Sequence, residues 1–300
     1  MTSASASSDQ HLLHITRRSQ YFVELAKPRL VLMVLVTTSV GFYLASDRGL
    51  DWFRLIHTVL GTGFSASGVL ALNQYLERDL DAQMVRTCHR PLPDKRLQPY
   101  EALIFGVILT SCGLLYLTFL VNSLSAAVVS AIVVSYLFVY TPLKQMTPLC
   151  TVAGALPGAL PPVVGWVAVR GTLNLEAWAL FAILFLWQLP HSLSIACIYR
   201  DEYAKAGFRL LPVIHPDGAS TRRQIVCNCL GLLVVALMPT FLGVAGVVYF
   251  FVSLVLGIAF LAFGVNLALS PSTSAARRLL YASLIYLPLV FVAMALDKAT

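Results

Sequence analysis

The chain has 300 residues, of which 58% are hydrophobic and 12% are charged. This balance excludes an ordinary soluble domain and is typical of a protein that crosses a membrane several times. The formal net charge of +7 does not indicate nucleic-acid binding, because the basic residues lie in short connections between apolar segments. The six cysteines include no CxxC pair, so neither a disulfide framework nor a zinc site is predicted.

The chain begins with a polar, serine-rich stretch and continues as a series of apolar segments. Residues 1–20 have no apolar core of signal-peptide length, and we expect them to form a disordered cytoplasmic tail. Residues 21–300 are predicted to form a single polytopic transmembrane domain. The apolar segments are long enough to cross a bilayer as helices and predict nine spans, at about 29–46, 55–77, 101–121, 124–141, 149–169, 175–199, 224–244, 247–268 and 279–297.

The basic residues predict the orientation of these spans. With the N-terminus placed in the cytoplasm, 17 Lys and Arg residues fall on the cytoplasmic side and four on the opposite side. Cytoplasmic connections of membrane proteins carry an excess of Lys and Arg, so this asymmetry favours a cytoplasmic N-terminus. The opposite connections are short and poor in titratable groups, and we therefore expect the active face to be cytoplasmic.

A stripe of polar side chains lies at the end of the second predicted span and continues beyond it. Asn73, Glu77 and Asp81 are four residues apart, so on an α-helix they share one face, each about 6 Å above the last. Amide and carboxylate oxygens in such a stripe are suited to a hard cation such as Mg²⁺. Arg86 and Arg90 would offer planar donor groups to phosphate oxygens carried by the metal. The alternative is a solvated helix end with ordinary ion pairs.

The fifth predicted span contains three prolines and three glycines between residues 154 and 166. Prolines remove backbone donors and kink a helix, while small residues allow other helices to approach closely. Two interpretations follow from this composition: a kinked helix that borders a cavity, or a tight packing seam.

The sixth predicted span carries Gln188 and His191 in the middle of an apolar segment. Polar side chains at this depth face protein or a cavity and not lipid. A buried histidine that makes one structural hydrogen bond is the simpler interpretation, and a ligand-binding histidine is the alternative.

These motifs resemble those of a known group of enzymes. The Asn-x₃-Glu-x₃-Asp pattern over residues 73–81, followed by Met84-Val-Arg86-Thr87 and Arg90-Pro91-Leu92, resembles the first aspartate-rich motif of the UbiA superfamily of intramembrane prenyltransferases. The string Trp187-Gln188-Leu-Pro190-His191 is similar to a signature of the haem O synthases within that superfamily. The resemblance implies an all-α membrane protein with about nine helices bundled around a central cavity.

A second acidic site is implied near the end of the sixth span. The family pattern reads Tyr-Arg-x-Asp-Tyr, whereas this chain has Tyr199-Arg200-Asp201-Glu202-Tyr203, so Glu202 occupies the position of the family acid. On a continuous helix Glu202 would lie about 20° from His191, and Asp201 about 80° away. We expect Glu202 to be the metal ligand and keep Asp201 as the alternative.

The resemblance implies a reaction and a set of roles. The implied reaction is transfer of farnesyl from farnesyl diphosphate to the vinyl group of protohaem IX (haem b), with addition of water, to give haem O and diphosphate. Arg86, Arg90 and Lys144 would neutralise the leaving diphosphate, which Mg²⁺ would hold. The haem or the prenyl chain would contact five further residues: Gln188, His191, Tyr199, Arg200 and Tyr203.

The same resemblance implies a cellular location and partners, and two alternative functions remain open. It places the chain in a bacterial cytoplasmic (inner) membrane, with the lipid bilayer and haem A synthase or terminal oxidase assembly as candidate partners, and without nucleic acid. One alternative is prenylation of an aromatic quinone precursor by the same chemistry. The other is a membrane transporter or lipid-binding protein, which also uses proline-broken helices and buried polar groups.

Overall fold

A computed structural model describes residues 18–47 and 49–299 of the chain. Residues 18–26 form helix α1. The other α-helices are α2 (Pro28–Ala45), α3 (Trp52–Asp81), α4 (Pro99–Leu120), α5 (Ser123–Val134), α6 (Thr141–Met146), α7 (Cys150–Ala159), α8 (Pro161–Arg170), α9 (Leu175–Ile198), α10 (Arg200–Lys205), α11 (Leu211–Ile214), α12 (Ala219–Val235), α13 (Met238–Phe241), α14 (Val247–Leu269) and α15 (Thr273–Leu296). Within the described ranges β-structure is limited to one isolated bridge between Ala245 and Lys298.

Nine helical segments in the described part of the chain are long and apolar enough to cross a membrane, which confirms the predicted number of spans. Several ends differ from the prediction: the second span continues to Asp81, the fourth continues to Met146 and the seventh begins at Ala219. Hydropathy detects only the apolar part of a helix, whereas backbone hydrogen bonding continues into the polar interface. The extra turns carry polar side chains that the functional site uses.

The predicted N-terminal tail lies mostly outside the described residues. Arg17 and Arg48, two of the basic residues counted to predict the orientation, also lie outside them. Residues 18–20 belong to α1, so the expectation of disorder is wrong for them. The physical reason is that α1 packs on the bundle: Leu25 is fully buried, and the Phe22 and Phe105 rings lie 5.1 Å apart. Gln74 Nε2 also donates to the Leu25 carbonyl at 2.6 Å.

Among the irregular spans, the fourth and the fifth line the same apolar cavity. The fourth span passes from α5 through a π-helical turn, Ser135–Tyr140, into α6. Such turns re-aim side chains and are frequent at functional sites. The fifth span is interrupted at Leu160, between α7 and α8, directly before Pro161. The predicted kink in this span is confirmed.

Close helix packing holds the broken span in place. A Cβ atom added to Gly165 of α8 would lie 1.9 Å from the Thr38 carbonyl oxygen of α2, and one added to Gly41 would lie 2.0 Å from the Pro162 carbonyl oxygen. Only glycine permits backbones to approach this closely. The packing-seam interpretation of the fifth span therefore applies to α8.

The largest buried cluster occupies the middle of the bundle, between α8, α9, α12, α14 and α15. It includes Val164, Ile183, Leu232, Phe260 and Val290. Two smaller clusters lie near the membrane surface where α3 ends; one contains Met84 and Phe208. This smaller cluster joins the connection after α3 to the segment after α10, and both segments contribute to the site.

Candidate active site at the end of the second span

A polar cavity of about 160 Å³ opens at the C-terminal end of α3. Asn73, Glu77 and Asp81 line it from one helix face and are buried. The sequence prediction of a shared polar stripe is confirmed in its geometry. The alternative of a solvated helix end is wrong, because Asp81 is only 1% exposed and Glu77 only 6% exposed.

Each carboxylate of the stripe is paired with a cation. Lys144 Nζ lies 2.6 Å from Glu77 Oε1, and Arg90 Nη1 lies 2.6 Å from Asp81 Oδ2. Asn73 Nδ2 donates to Thr141 Oγ1 at 3.2 Å. A buried charge is costly without a partner, and the Glu77–Lys144 and Asp81–Arg90 contacts give each carboxylate a partner of opposite charge.

The connection between α3 and α4 folds back over this cavity. Residues 82–97 form turns, and Thr87 Oγ1 donates to the Asp81 carbonyl at 2.8 Å. This contact brings Arg86 over the Tyr203 ring, 4.4 Å from its centroid, and within 5.2 Å of the Tyr199 centroid. The two sequence motifs, more than 100 residues apart in the chain, therefore meet through cation–π contacts.

Lys27 also lines the polar cavity, and the sequence analysis assigned it no role in the site. Its backbone is in the left-handed region, with φ 51° and ψ 63°, immediately before Pro28. Strained residues of this kind cluster at functional sites. Burial, followed by the nearby Arg90 charge, lowers the pKa of Lys27 from 10.5 to about 8. The available sequence signal was a lysine placed directly before the proline that opens the first span.

An apolar cavity of about 500 Å³ lies next to the polar one. Tyr136, Tyr140 and Tyr203 line both cavities. Gly154, Pro157 and Gly158 of α7 form one wall of the apolar cavity, as one of the two interpretations of that span predicted. A polar, cation-rich chamber that adjoins an apolar one suits an amphiphile with an anionic head.

Gln188 and His191 line the apolar cavity, as predicted for polar residues inside a span. Gln188 Nε2 donates to the Ala155 carbonyl at 2.6 Å. His191 Nδ1 lies 2.8 Å from Ser283 Oγ, and its ring stacks on Trp187 with 5.0 Å between centroids. Because Nδ1 is engaged, Nε2 is the ring nitrogen available to a ligand.

The predicted second acidic site is only partly assembled. Asp201 is exposed, whereas Glu202 is partly buried and its Oε2 has no hydrogen-bond partner among the described residues. The helical-phase argument for Glu202 is wrong, because α9 ends at Ile198 and Tyr199 (φ −106°, ψ 26°) interrupts the helix. Glu202 lines neither of the two cavities, and Arg200 lines a third, separate cavity.

The side-chain oxygen atoms that line the polar cavity fit a Mg²⁺ ion that is bound partly by protein and partly by substrate. Within the described ranges no three or more His, Cys, Asp or Glu side chains gather to hold a metal. Mg²⁺, however, is usually bound by one or two carboxylates together with water and substrate phosphates. Asn73, Glu77 and Asp81 supply such a partial set on one wall, and the surrounding cations would pair with the phosphates. The residues fit a metal that is shared with a diphosphate.

The fold defines an integral, multi-pass membrane protein in which a polar, cation-lined cavity adjoins an apolar one. Residues 34–292 match the UbiA prenyltransferase family. The chain is 46% identical to the protoheme IX farnesyltransferase of Solibacter usitatus, over 92% of this chain and 98% of that protein. It is 44% identical to the protoheme IX farnesyltransferase of Koribacter versatilis, over 92% of this chain and 93% of that protein. The chain belongs to the UbiA prenyltransferase family.

Solved structures show the same fold at low sequence identity. A digeranylgeranylglyceryl phosphate synthase superposes with a TM-score of 0.81 at 17% identity, over 94% of this chain and 98% of that one. A UbiA homologue from Archaeoglobus fulgidus bound to GPP and Mg²⁺ superposes with a TM-score of 0.61 at 17% identity, over 91% of this chain and 99% of that one. The bundle of nine membrane-spanning segments in residues 18–47 and 49–299 therefore has the UbiA fold.

Proposed function

We infer that this chain transfers the farnesyl group of farnesyl diphosphate to the vinyl group of protohaem IX, with addition of water, and releases diphosphate. The acceptor and the transferred farnesyl group are those in the names of relatives that are 44–46% identical over most of the chain. The structural observation that carries the proposal is the pair of adjoining cavities, one lined by cations and one apolar, with Tyr136, Tyr140 and Tyr203 common to both.

The cations of the polar cavity would bind the diphosphate. Four basic side chains line this chamber: Lys27, Arg86, Arg90 and Lys144. Arginine and lysine side chains at such a site offer strong charge-assisted hydrogen bonds to phosphate oxygens. When the carbon–oxygen bond breaks, its electron pair leaves with the diphosphate. Fixed positive groups stabilise the charge that develops there and so lower the barrier.

Asn73, Glu77 and Asp81 would hold Mg²⁺. Glu202, which lines neither cavity in this structure, stays the candidate for a further ligand, with Asp201 as its alternative. When bound, Mg²⁺ supplies charge neutralisation at the departing diphosphate. The UbiA homologue from A. fulgidus bound to GPP and Mg²⁺ supports the use of Mg²⁺ with a prenyl diphosphate.

The apolar cavity would hold the farnesyl chain and the reacting edge of the porphyrin. An electron-rich vinyl group attacks C1 of the farnesyl group, and water adds to the resulting cation with loss of a proton. Gln188 is fixed by its bond to α7, and His191 by its contact with Ser283, so both present rigid polar groups to the acceptor. Tyr199 and Tyr203 orient Arg86 through their rings.

The proposed setting is a bacterial inner membrane, with the N-terminus and the active face in the cytoplasm and residues 21–300 acting as one domain. Haem A synthase or an assembling terminal oxidase would receive the product.

The test combines purified protein, farnesyl diphosphate, haem b and Mg²⁺, and measures pyrophosphate release together with the mass of the extracted haem. The expected product is haem whose mass has risen by one farnesyl group and one hydroxyl group. A Glu77→Gln variant serves as the matched inactive control. Unmodified haem together with rapid prenylation of an aromatic acid would assign the alternative acceptor, and no pyrophosphate release at all would exclude a prenyl transferase.

A further inference from the structure

A third cavity, of about 330 Å³, lies between the end of α9 and the start of α12. The end of α14 and the start of α15 complete its walls. Each span crosses the membrane once, so the ends of the second, sixth and eighth spans and the starts of the seventh and ninth lie at one membrane surface. This cavity therefore opens on the same surface as the proposed active site, without sharing a lining residue with it.

Two arginines in this cavity have no acidic partner. Arg200 and Arg222 are partly buried, and neither forms an ion pair with the described part of the chain. Arg222 Nη1 donates to the Asp217 carbonyl at 2.9 Å, which holds the guanidinium beside the start of α12. Asp217 also lines the cavity, but it is exposed and its carboxylate forms no ion pair with either guanidinium group. Partly buried guanidinium groups without an ion-pair partner indicate a site for an anion.

The charges near the start of α12 are positive, which is unfavourable for an isolated helix. The first N–H groups of a helix have no partner within it and attract negative charge. No acidic residue lies in the first turn of α12, and its N-cap, Gly218, supplies no side-chain acceptor. Arg222 and Arg223 lie one turn after the N-cap, although cations near this end of a helix are unfavourable. By contrast, Ser272 caps α15 by accepting from the Ala275 N–H at 3.1 Å.

An unpartnered hydroxyl lines the same cavity. Thr221, in the first turn of α12, is 2% exposed, and its Oγ1 has no hydrogen-bond partner among residues 18–47 and 49–299. A buried hydroxyl without a partner costs free energy, and an oxyanion in the cavity would accept its hydrogen bond. The hydroxyl is a second observation, independent of the helix terminus and the arginines, that indicates a ligand.

We propose that this cavity binds a phosphate-bearing anion at the membrane surface, held by Arg200, Arg222, the start of α12 and the Thr221 hydroxyl. Phosphate fits because it accepts several hydrogen bonds at once and because its negative charge would pair with the two guanidinium groups. Ile225 and Leu267 add apolar surface to the same cavity. The phosphate can come from the headgroup of an anionic phospholipid or from free phosphate in the cytoplasm, and the two sources are distinguished by experiment.

The experiment uses the full chain in detergent. In the first arm, native mass spectrometry measures the dissociation constant of phosphatidylglycerol, with a diacylglycerol of the same chains as the control without phosphate. In the second arm, the unfolding temperature is recorded in sodium phosphate and in sodium chloride of equal ionic strength. Binding in the first arm alone assigns a lipid headgroup, and stabilisation in the second arm assigns free phosphate; both outcomes support a phosphate site.

The variants distinguish binding in this cavity from nonspecific binding to positive charge on the protein surface. Arg200→Gln and Arg222→Gln are each expected to weaken binding by about tenfold, whereas Arg223→Gln, an exposed neighbour outside the cavity, keeps wild-type affinity. Thr221→Val is expected to weaken binding without lowering the unfolding temperature of the ligand-free protein, because it removes an unsatisfied hydroxyl at constant shape. Equal weakening by Arg222→Gln and Arg223→Gln, or equal binding of diacylglycerol and phosphatidylglycerol, would overturn the proposal.

Discussion

Neighbouring carboxylates at positions 201 and 202 have different surroundings, and the difference predicts which one acts. Asp201 is exposed, while the Oε2 atom of Glu202 is enclosed without a partner. An enclosed carboxylate oxygen gains most from a ligand, because it has already lost its hydration. We expect Glu202→Gln to lower farnesyl transfer by about tenfold or more and Asp201→Asn to change it by less than about twofold.

Turnover of both single mutants and the double mutant, at matched membrane abundance, checks this prediction. An inactive Asp201→Asn protein beside a fully active Glu202→Gln protein would reverse the assignment.

Lys27 predicts a pH dependence of diphosphate binding. With its pKa lowered to about 8, the amine is charged below pH 8 and neutral above it. An anion favours the charged form, so binding takes up a proton, and affinity is expected to fall as the pH rises through 8, by up to about tenfold per pH unit. Calorimetric titration of a non-hydrolysable farnesyl diphosphate analogue between pH 7 and 9.5 measures this slope.

Lys27→Met is the matched variant for that titration, since it keeps the length of the side chain and cannot titrate. It should bind the analogue more weakly at pH 7 and show little change in affinity over the same range. An unchanged slope in Lys27→Met would assign the pH dependence to another group.

At the scale of elements, the polar face of α3 predicts that metal and diphosphate bind together. Each carboxylate of this face is already paired, Glu77 with Lys144 and Asp81 with Arg90. A metal alone would leave two buried cations without partners, and a diphosphate alone would leave two carboxylates without partners, whereas both ligands together satisfy all four groups. We expect Mg²⁺ to raise pyrophosphate affinity by about tenfold or more, and a chelator to reverse the effect.

Calorimetry of pyrophosphate with and without Mg²⁺, corrected for the complex that the two form in solution, tests this coupling. Glu77→Gln and Asp81→Asn should remain folded in the membrane, lose the effect of Mg²⁺ and lose turnover. Activity of either variant at ordinary Mg²⁺ concentration would show that the stripe does not hold the metal.

The contact between α2 and α8 predicts a strong effect of one added methyl group. The Cβ atom of Gly165→Ala would meet the Thr38 carbonyl at 1.9 Å and the Phe42 backbone nitrogen at 2.6 Å, so two helix backbones must separate. Gly63→Ala is the matched control, because its Cβ would lie 3.6 Å from the Leu35 side chain, an ordinary contact. We expect Gly165→Ala to lower the unfolding temperature in detergent by several degrees.

Gly63→Ala should leave that temperature unchanged or slightly higher, since alanine favours a helix by about 1 kcal/mol over glycine. Equal unfolding temperatures for the two variants would mean that α2 and α8 are less closely packed than described.

At the scale of the whole molecule, the basic residues predict one orientation in the membrane. Thr87 and Gly218 should face the cytoplasm and Ser123 the opposite side. Single-cysteine variants at these positions, in a background without the native cysteines, are labelled with an impermeant maleimide in right-side-out and inverted vesicles. Labelling of position 87 in right-side-out vesicles alone would place the proposed active face outside the cytoplasm.

The sequence by itself determined the features that depend on local patterns. Apolar length predicts nine spans, because a helix must satisfy its own backbone hydrogen bonds in lipid. Four-residue spacing places Asn73, Glu77 and Asp81 on one face, because the helical repeat is a property of the chain alone. The prolines of the fifth span predict its break for the same reason. The resemblance to the UbiA superfamily followed from these same short motifs.

Only the tertiary structure decided which distant groups meet. The pairing of Lys144 with Glu77, the entry of Lys27 into the polar cavity and the stacking of Arg86 on Tyr203 join segments that are far apart in the chain. Spacing within one helix carries no information about these distances. The end of α9 at Ile198 was also decided by packing, because the extra turn that the sequence permits is replaced by α10, whose Tyr203 contacts Phe208 and Arg86. Local periodicity therefore predicts the helices, and long-range contacts assemble the site between them.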